Sequence, residues 1–584
     1  MKYIYETDFM LPMRDGIRLA TKIWRTEDGK PAPTLLVRNP YGKDLSGDGP
    51  IPVFTELLEA GYAIVYQDCR GSFKSEGDFV DMANEPNDGV DTLNWLSLQP
   101  WCDGNIGTYG ASYLGFVQWA SVTAGTSNLK AIAPALASSD YYKAPWYSEG
   151  GALSLHTVFS WLALMSANRA MRDLKTLNDP KLIGEIYQEL QELTDIMADP
   201  MSQLSKLPLR EQKHLENRSP LWFKWLDHPT YDHYWKDLAT VKKFKEVKIP
   251  ALHIGGWYDL LLNATLKSFT SMKEKGGSDI ARNEQLLIIG PWDHGSYLGV
   301  YPDRQFGVAA NMEYEDLTTL HRKFFDRWLK GEEGALEGIA PVRIFVMGID
   351  QWRDEEDWPL PDTHYTDYFI SSSGLANTSG GNGILTTQLP QTASKDTYSY
   401  DPHNPVPTRG GQTLMPVAEN ATGPVDQRSV SSREDVLCYT TSILENPIEV
   451  TGNITLTLYV SSSALDTDFT GKLVDVFPDG KSIILTEGIL RARYRKTLER
   501  PELLKAGELY EITLDLGATS NVFLSGHRIM LEVSSSNFPR YDRNTNTGGI
   551  IALESQDQLV TAVNSVHHGG SYPSRLVLPI INRN

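Results

Sequence analysis

Three short stretches of the chain carry side chains that together could break an acyl bond. "GTYGASYLG" (107–115) holds Ser112, "GGWYD" (255–259) ends on Asp259, and "GPWDHG" (290–295) carries His294. A serine hydroxyl is a weak nucleophile at neutral pH and needs an imidazole to take its proton. A carboxylate then fixes the imidazole tautomer and stabilises the imidazolium. Each of the three residues also has a plainer reading. Ser112 could sit in an ordinary Gly-rich loop, since G-x-S-x-G is not met: Leu114 stands second after the serine and glycine follows at Gly115. His294 is one of twelve histidines, most of which must cap or pack. Asp259 could cap the following "LLLNATLKSF". Asp293 is a rival acid, but its place beside His294 makes a side-on hydrogen bond awkward. "GSYLG" (295–299) repeats the letters around Ser112 without the upstream glycine or a following helical pattern, and is set aside.

The elements around these residues decide between the readings. "TLLVRNPYG" (34–42), "YAIVYQDCRG" (62–71), "NIGTYG" (105–110) and "LKAIAPALA" (129–137) read as buried strands. Amphipathic stretches such as "FTELLEAG" and the Asp88-led "DGVDTLNWLSLQP" lie between them. After Ser112, Tyr113, Phe116, Val117 and Ala120 fall on one helical face. Strand and helix in alternation predict a parallel sheet covered on both faces, where ligands gather at the carboxyl ends of the strands. Ser112, Asp259 and His294 all lie at such ends, in the order the α/β-hydrolase arrangement requires.

Strand signals stop from about 140 to 244. There "PKLIGEIYQELQELTDIMADP" places Leu182, Ile183, Ile186, Tyr187, Leu190 and Leu193 on one face, which predicts a helical insertion. Strands resume with "IPALHIGGWYD" and "QLLIIGPWDHG", and "LTTLHRKFFDRWLKGEEG" closes that unit with a helix. Beyond about 345 short alternating runs such as "NITLTLYVSSS" and "HRIMLEVSSS" predict a β-sandwich or jelly roll.

A net charge of −20, from 54 basic and 74 acidic residues, argues against nucleic acid or an anionic membrane as partner. No run approaches a membrane span, and the first residues lack a signal-peptide core, so a cytoplasmic protein is expected. Cys69, Cys102 and Cys438 are scattered and odd in number, which predicts buried free thiols rather than disulfides. His, Cys and acidic residues do not converge at ligand spacings, so no metal or other cofactor is expected.

"RNPYGKD", "QDCRGSFKSEGDF", "GTYGASYLG", "GGWYD" and "GPWDHG" occur in the order and rough spacing of the cocaine esterase-like (CocE/NonD) hydrolases. The similarity continues through "SSDYYKAPWYSEGGALSLHTVFSW", "FFDRWLKG", "YDPHNPVPTRGG", "REDVLCYTT" and "GHRIMLEVSSSNFPRYDRNTNTG", and so spans nearly the whole chain. These proteins are related to X-Pro dipeptidyl-peptidases and α-amino acid ester hydrolases, and their serine motif is G-x-S-Y-x-G. The resemblance implies an α/β-hydrolase core (1–139 and 245–345), an inserted helical cap (140–244) and a C-terminal jelly-roll β-sandwich (346–584).

Carried onto this sequence, Ser112 resembles the nucleophile, His294 the general base and acid, and Asp259 its partner. Tyr41 resembles the tyrosine that completes the oxyanion hole with the backbone N–H of Tyr113. Trp146 and Trp161 look similar to aromatic residues of the acyl site. Leu260 and Leu261, with Leu262, stand where the α-amino acid ester hydrolases place acids that grip an ammonium, so an apolar acyl group is expected. Glu149 is a cap acid that could substitute. Arg70, Ser75 and Glu76 are expected to order their loop. The implied activity is hydrolysis of a small-molecule carboxylic ester through an acyl-enzyme. The alternatives are an amidase or acylase on β-lactam side chains, an aminoacyl-peptidase, and a non-catalytic carbohydrate-binding protein. Dipeptidyl-peptidase action fits less well, because those relatives carry an additional N-terminal domain and this chain enters the core at once. Homo-oligomerisation is left open.

Overall fold

The computed structural model describes residues 2–44, 51–80, 82–175, 177–216, 218–414 and 421–583. Its first sheet contains β1 (Tyr3–Pro12), β2 (Arg18–Thr26), β3 (Ala32–Asn39), β4 (Ala63–Asp68), β5 (Cys102–Ala111), β6 (Leu129–Ala135), β7 (Ala251–Gly256), β8 (Gln285–Gly290), β9 (Val342–Val346) and β10 (Gln351–Glu355). The spatial order is β1-β2-β4-β3-β5-β6-β7-β8-β9-β10. Strands β3 to β9 pair in parallel, and antiparallel β1, β2 and β10 finish the edges. β4, β7 and β8 are buried along their whole length, as their unbroken apolar runs require when both faces are covered.

Two features of this sheet differ from the sequence expectation. β1 and β2 were not anticipated: acidic and basic residues break their apolar runs, and much of β1 is exposed at the edge. At the other edge the sheet runs on past the expected 345/346 boundary to Glu355. The reason is a tight hairpin in which Gly348 and Asp350 take positive φ and return β10 against β9.

Helices α1 (Phe54–Glu59), α2 (Glu85–Ser97) and α3 (Tyr113–Thr123) fill the crossovers. α3 is buried on every side rather than along one face, because α2 covers the side that the sheet does not. Between β6 and β7 the chain forms a run of helices that includes α4 (Leu155–Leu174) and α5 (Pro180–Ala198). Asp179 caps α5 by accepting the Lys181 N–H, with Pro180 as its first residue. The expected apolar stripe of α5 is only partly used. Ile186, Leu193 and Ile196 are buried, while Leu182 and Tyr187 are 42% and 62% exposed. α5 meets the rest of the molecule mainly through α4, so one narrow line of contact suffices.

The C-terminal unit is mostly β, with an eleven-stranded sheet among the described residues. Its longest pair is Ile448–Ser462 against Tyr510–Phe523. Met347 ties the two sheets together: its N–H donates to the Ser520 carbonyl and its carbonyl accepts from Val522.

Candidate active site

β5 delivers Ser112 to a sharp turn. Its φ of 60° and ψ of −121° lie outside the regions a serine prefers, and α3 begins at the next residue. Such strain persists only where the surroundings over-determine it, which is typical of functional positions. The flanking glycines make the turn possible. A Cβ on Gly110, whose φ is +142°, would sit 2.5 Å from the Leu114 Cβ; one on Gly115 would sit 2.4 Å from the Ala137 Cβ. Glycine is needed at Gly115 because its Cα faces Ala137 and the Ala135 carbonyl at the end of β6 with no room for a methyl.

Asp259 follows β7 and is fully buried; its Oδ1 accepts the Leu261 N–H at 2.7 Å. Its Oδ2 lies 2.5 Å from His294 Nδ1, and His294 Nε2 lies 3.0 Å from Ser112 Oγ. The three residues from the ends of β5, β7 and β8 therefore form one hydrogen-bonded line. Asp293 is used otherwise. Its Oδ1 accepts the N–H groups of Gly295 and Ser296, and its Oδ2 accepts the Thr422 hydroxyl. It shapes the turn that presents His294, and burial pushes its carboxyl above the usual range.

Tyr41 lies just beyond β3, where its N–H donates to Asn39 Oδ1 at 2.8 Å. Tyr41 is half-buried, and desolvation of its hydroxyl pushes it up to about 12, against the opposing effect of its hydrogen-bonding neighbours Trp161 and Ser112. The Tyr113 N–H occupies the first position of α3, where helix donors lack an intrahelical carbonyl. The Tyr113 ring is anchored from below: its hydroxyl donates to Glu85 Oε1 at 3.0 Å, and Glu85 pairs with buried Arg38 at 2.6 Å.

Ser112, His294, Tyr41 and Tyr113 open into one cavity, whose walls include Trp146, Trp161, Leu260 and Leu261. Trp146 packs 4.9 Å from Trp161 and stacks on Trp225 at 4.6 Å.

The geometry has clear counterparts. Residues 15–296 match the X-Pro dipeptidyl-peptidase (S15 family) model, and residues 334–577 match the X-Pro dipeptidyl-peptidase C-terminal non-catalytic domain. A cocaine esterase from Rhodococcus sp. (strain MB1 Bresler) is 47% identical over 585 residues, covering 100% of this chain and 99% of the relative. The chain belongs to the cocaine esterase-like hydrolases of the S15 family. Two solved structures share its architecture with a TM-score of 0.81 each. One is an aminopeptidase from a marine sediment Thaumarchaeota archaeon, 26% identical and covering 99% of this chain and 97% of its own. The other is an α-amino acid ester hydrolase, 25% identical, covering 99% and 96%. The protein is therefore a serine hydrolase with an α/β-hydrolase-like catalytic part and a mostly β C-terminal part.

Of the residues singled out from this family's motifs, Ser112, His294, Tyr41, Tyr113, Trp146, Trp161, Leu260 and Leu261 line the cavity, and buried Asp259 stands behind His294. Four further lining residues were not singled out: Tyr141, Pro145, Thr157 and Leu414. The first three lie in or beside the quoted "SSDYYKAPWYSEGGALSLHTVFSW" and were within reach of the sequence. Leu414 comes from the C-terminal part and carries no local signal. Glu149 does not line the cavity; it pairs with Lys143 at 3.1 Å in an adjoining polar cleft. Arg70 bridges Asp15 and Asp88, the Ser75 hydroxyl donates to the Asp68 carbonyl, and Glu76 pairs with Arg18. Cys69, Cys102 and Cys438 are buried and free. Among the described residues no three His, Cys, Asp or Glu side chains are grouped to hold a metal, and no helix is long and apolar enough to cross a membrane.

Proposed function

We propose that the protein hydrolyses small-molecule carboxylic esters with an apolar, uncharged acyl group, through an acyl-enzyme on Ser112. His294 takes the Ser112 proton as the hydroxyl attacks the ester carbonyl, and Asp259 stabilises the imidazolium. The Tyr41 hydroxyl and the Tyr113 N–H hold the developing oxyanion. His294 then protonates the leaving alcohol and later activates water for deacylation. The observation that carries this reading is the continuous line from Asp259 through His294 to a serine held in a strained turn.

The acyl preference rests on Leu260, Leu261, Trp146 and Trp161 in the cavity wall. A buried ammonium would cost several kcal/mol without a paired carboxylate. The helical segment 140–244 is read as a cap over the site, and the C-terminal part as a jelly-roll β-sandwich that completes the cavity through Leu414. A panel of p-nitrophenyl esters with varied acyl groups, run beside amide analogues, tests the proposal. Faster turnover of apolar acyl esters supports it, and a preference for the amides would replace it with the amidase reading.

A further inference from the structure

Trp161 does more than wall the cavity. Its indole Nε1 lies 3.0 Å from the Tyr41 hydroxyl oxygen. An indole N–H can only donate, so the Tyr41 oxygen must be the acceptor in this pair. One lone pair of Tyr41 is thereby occupied, and the hydroxyl proton is left to point elsewhere. Ser112 lines the same cavity wall as that hydroxyl, on the side where an ester carbonyl would be attacked. Trp161 is itself held firmly: it is 5% exposed, in the buried first half of α4, and stacks near-parallel to the Tyr113 ring with centroids 6.3 Å apart.

We propose that Trp161 is a positioning residue for the oxyanion donor, its indole N–H orienting the Tyr41 proton toward the carbonyl oxygen and strengthening that bond in the transition state. The inference rests on the oxyanion role of Tyr41 given above. Its physical basis is twofold. A hydroxyl that already accepts one hydrogen bond is a better donor for the next, because the chain polarises along its length. A hydroxyl rotor fixed before reaction also need not be reoriented when the oxyanion forms. The same N–H identifies Trp161 as the member of the tryptophan cluster coupled to the chemistry. The Trp225 N–H donates to Tyr234 instead, and the Trp146 N–H has no partner among the described residues.

A double-mutant cycle of Trp161→Phe and Tyr41→Phe, with kcat, KM and thermal stability measured for all four proteins, tests this. Phenylalanine keeps an aromatic wall but cannot donate. Trp161→Phe alone should lower kcat about 3- to 10-fold, the usual worth of one hydrogen bond, with a smaller change in KM. In the Tyr41→Phe background the same substitution should leave kcat nearly unchanged, while its stability cost persists. Equal kcat losses in both backgrounds would overturn the positioning role and make Trp161 a packing residue. A Tyr41→Phe protein with undiminished kcat would instead remove the oxyanion reading on which the inference stands.

Discussion

His294 Nδ1 meets Asp259 Oδ2 at 2.5 Å, although Asp293 is its neighbour in the chain. The adjacent carboxylate is committed to two backbone N–H groups and the Thr422 hydroxyl, which fix the loop on which the imidazole stands. Two acids thus divide the work around one histidine. Asp293 sets where the ring is, and Asp259 sets which nitrogen carries the proton. With Nδ1–H directed at Asp259, Nε2 is free to accept from Ser112.

Ser112→Ala should lower turnover by about 10⁴-fold or more, because it removes the hydroxyl that His294 Nε2 meets and that is proposed to attack the ester. The thermal transition should barely move, since alanine keeps the backbone turn and its packing. A fluorophosphonate probe should label the parent protein at this serine alone. Labelling that persists undiminished in the variant would place the nucleophile elsewhere.

Gly115→Ala should act on both stability and reactivity. The added methyl would press on Ala137 at 2.4 Å and on the Ala135 carbonyl at 3.2 Å, at the end of β6. Overpacking of this kind costs about 1–3 kcal/mol. It should also shift Ser112 against His294 and slow fluorophosphonate labelling. Denaturant unfolding together with labelling rates checks this, and a variant equal to the parent in both would contradict the account of the turn.

The cavity should favour a neutral acyl group. At about pH 6 the α-amine of a phenylglycine ester is protonated, and Leu260 and Leu261 offer it no partner. The kcat/KM for a phenylacetyl ester should clearly exceed that for the matching phenylglycine ester. The reverse ranking would mean that the Glu149 side of the adjoining cleft reaches the substrate.

Acid should destabilise the fold partly through buried imidazoles. Burial lowers His156, His253 and His321 from 6.5 to about 4. Their stabilisation is full above the unfolded value and is lost as pH falls from 6.5 toward 4, because the unfolded chain then binds the protons more tightly. Each contributes on the order of 1–3 kcal/mol across that window. His156, with neither ring nitrogen hydrogen-bonded among the described residues, is the cleanest probe. The Tm of His156→Leu should fall less steeply than that of the parent between about pH 6.5 and 4.5. Parallel slopes would remove His156 from the acid response.

Much of this site could be read from local patterns. Continuous apolar runs revealed β4, β7 and β8, and residues just past strand ends identified Ser112, Asp259 and His294. What escaped was set by contacts between distant segments. β1 is the outermost strand and is largely exposed, and β2 beside it is broken by Lys22 and Arg25, so neither sequence carries a strong apolar run. The exposure of Leu182 and Tyr187 depends on how little of α5 the neighbouring α4 covers. Leu414 reaches the cavity only because the C-terminal part packs against it.

The sequence by itself determined which chemical groups are present, their order along the chain, and the alternation of strand and helix that brings strand ends to one edge. It also carried the two glycines without which the Ser112 turn has no room. The tertiary structure alone decided which carboxylate serves His294 and which donor holds Tyr41. Those choices turn on directions and distances of a few tenths of an ångström between residues far apart in sequence. No local pattern encodes them, because a hydrogen bond is set by where two backbones finally lie and not by the letters beside either one.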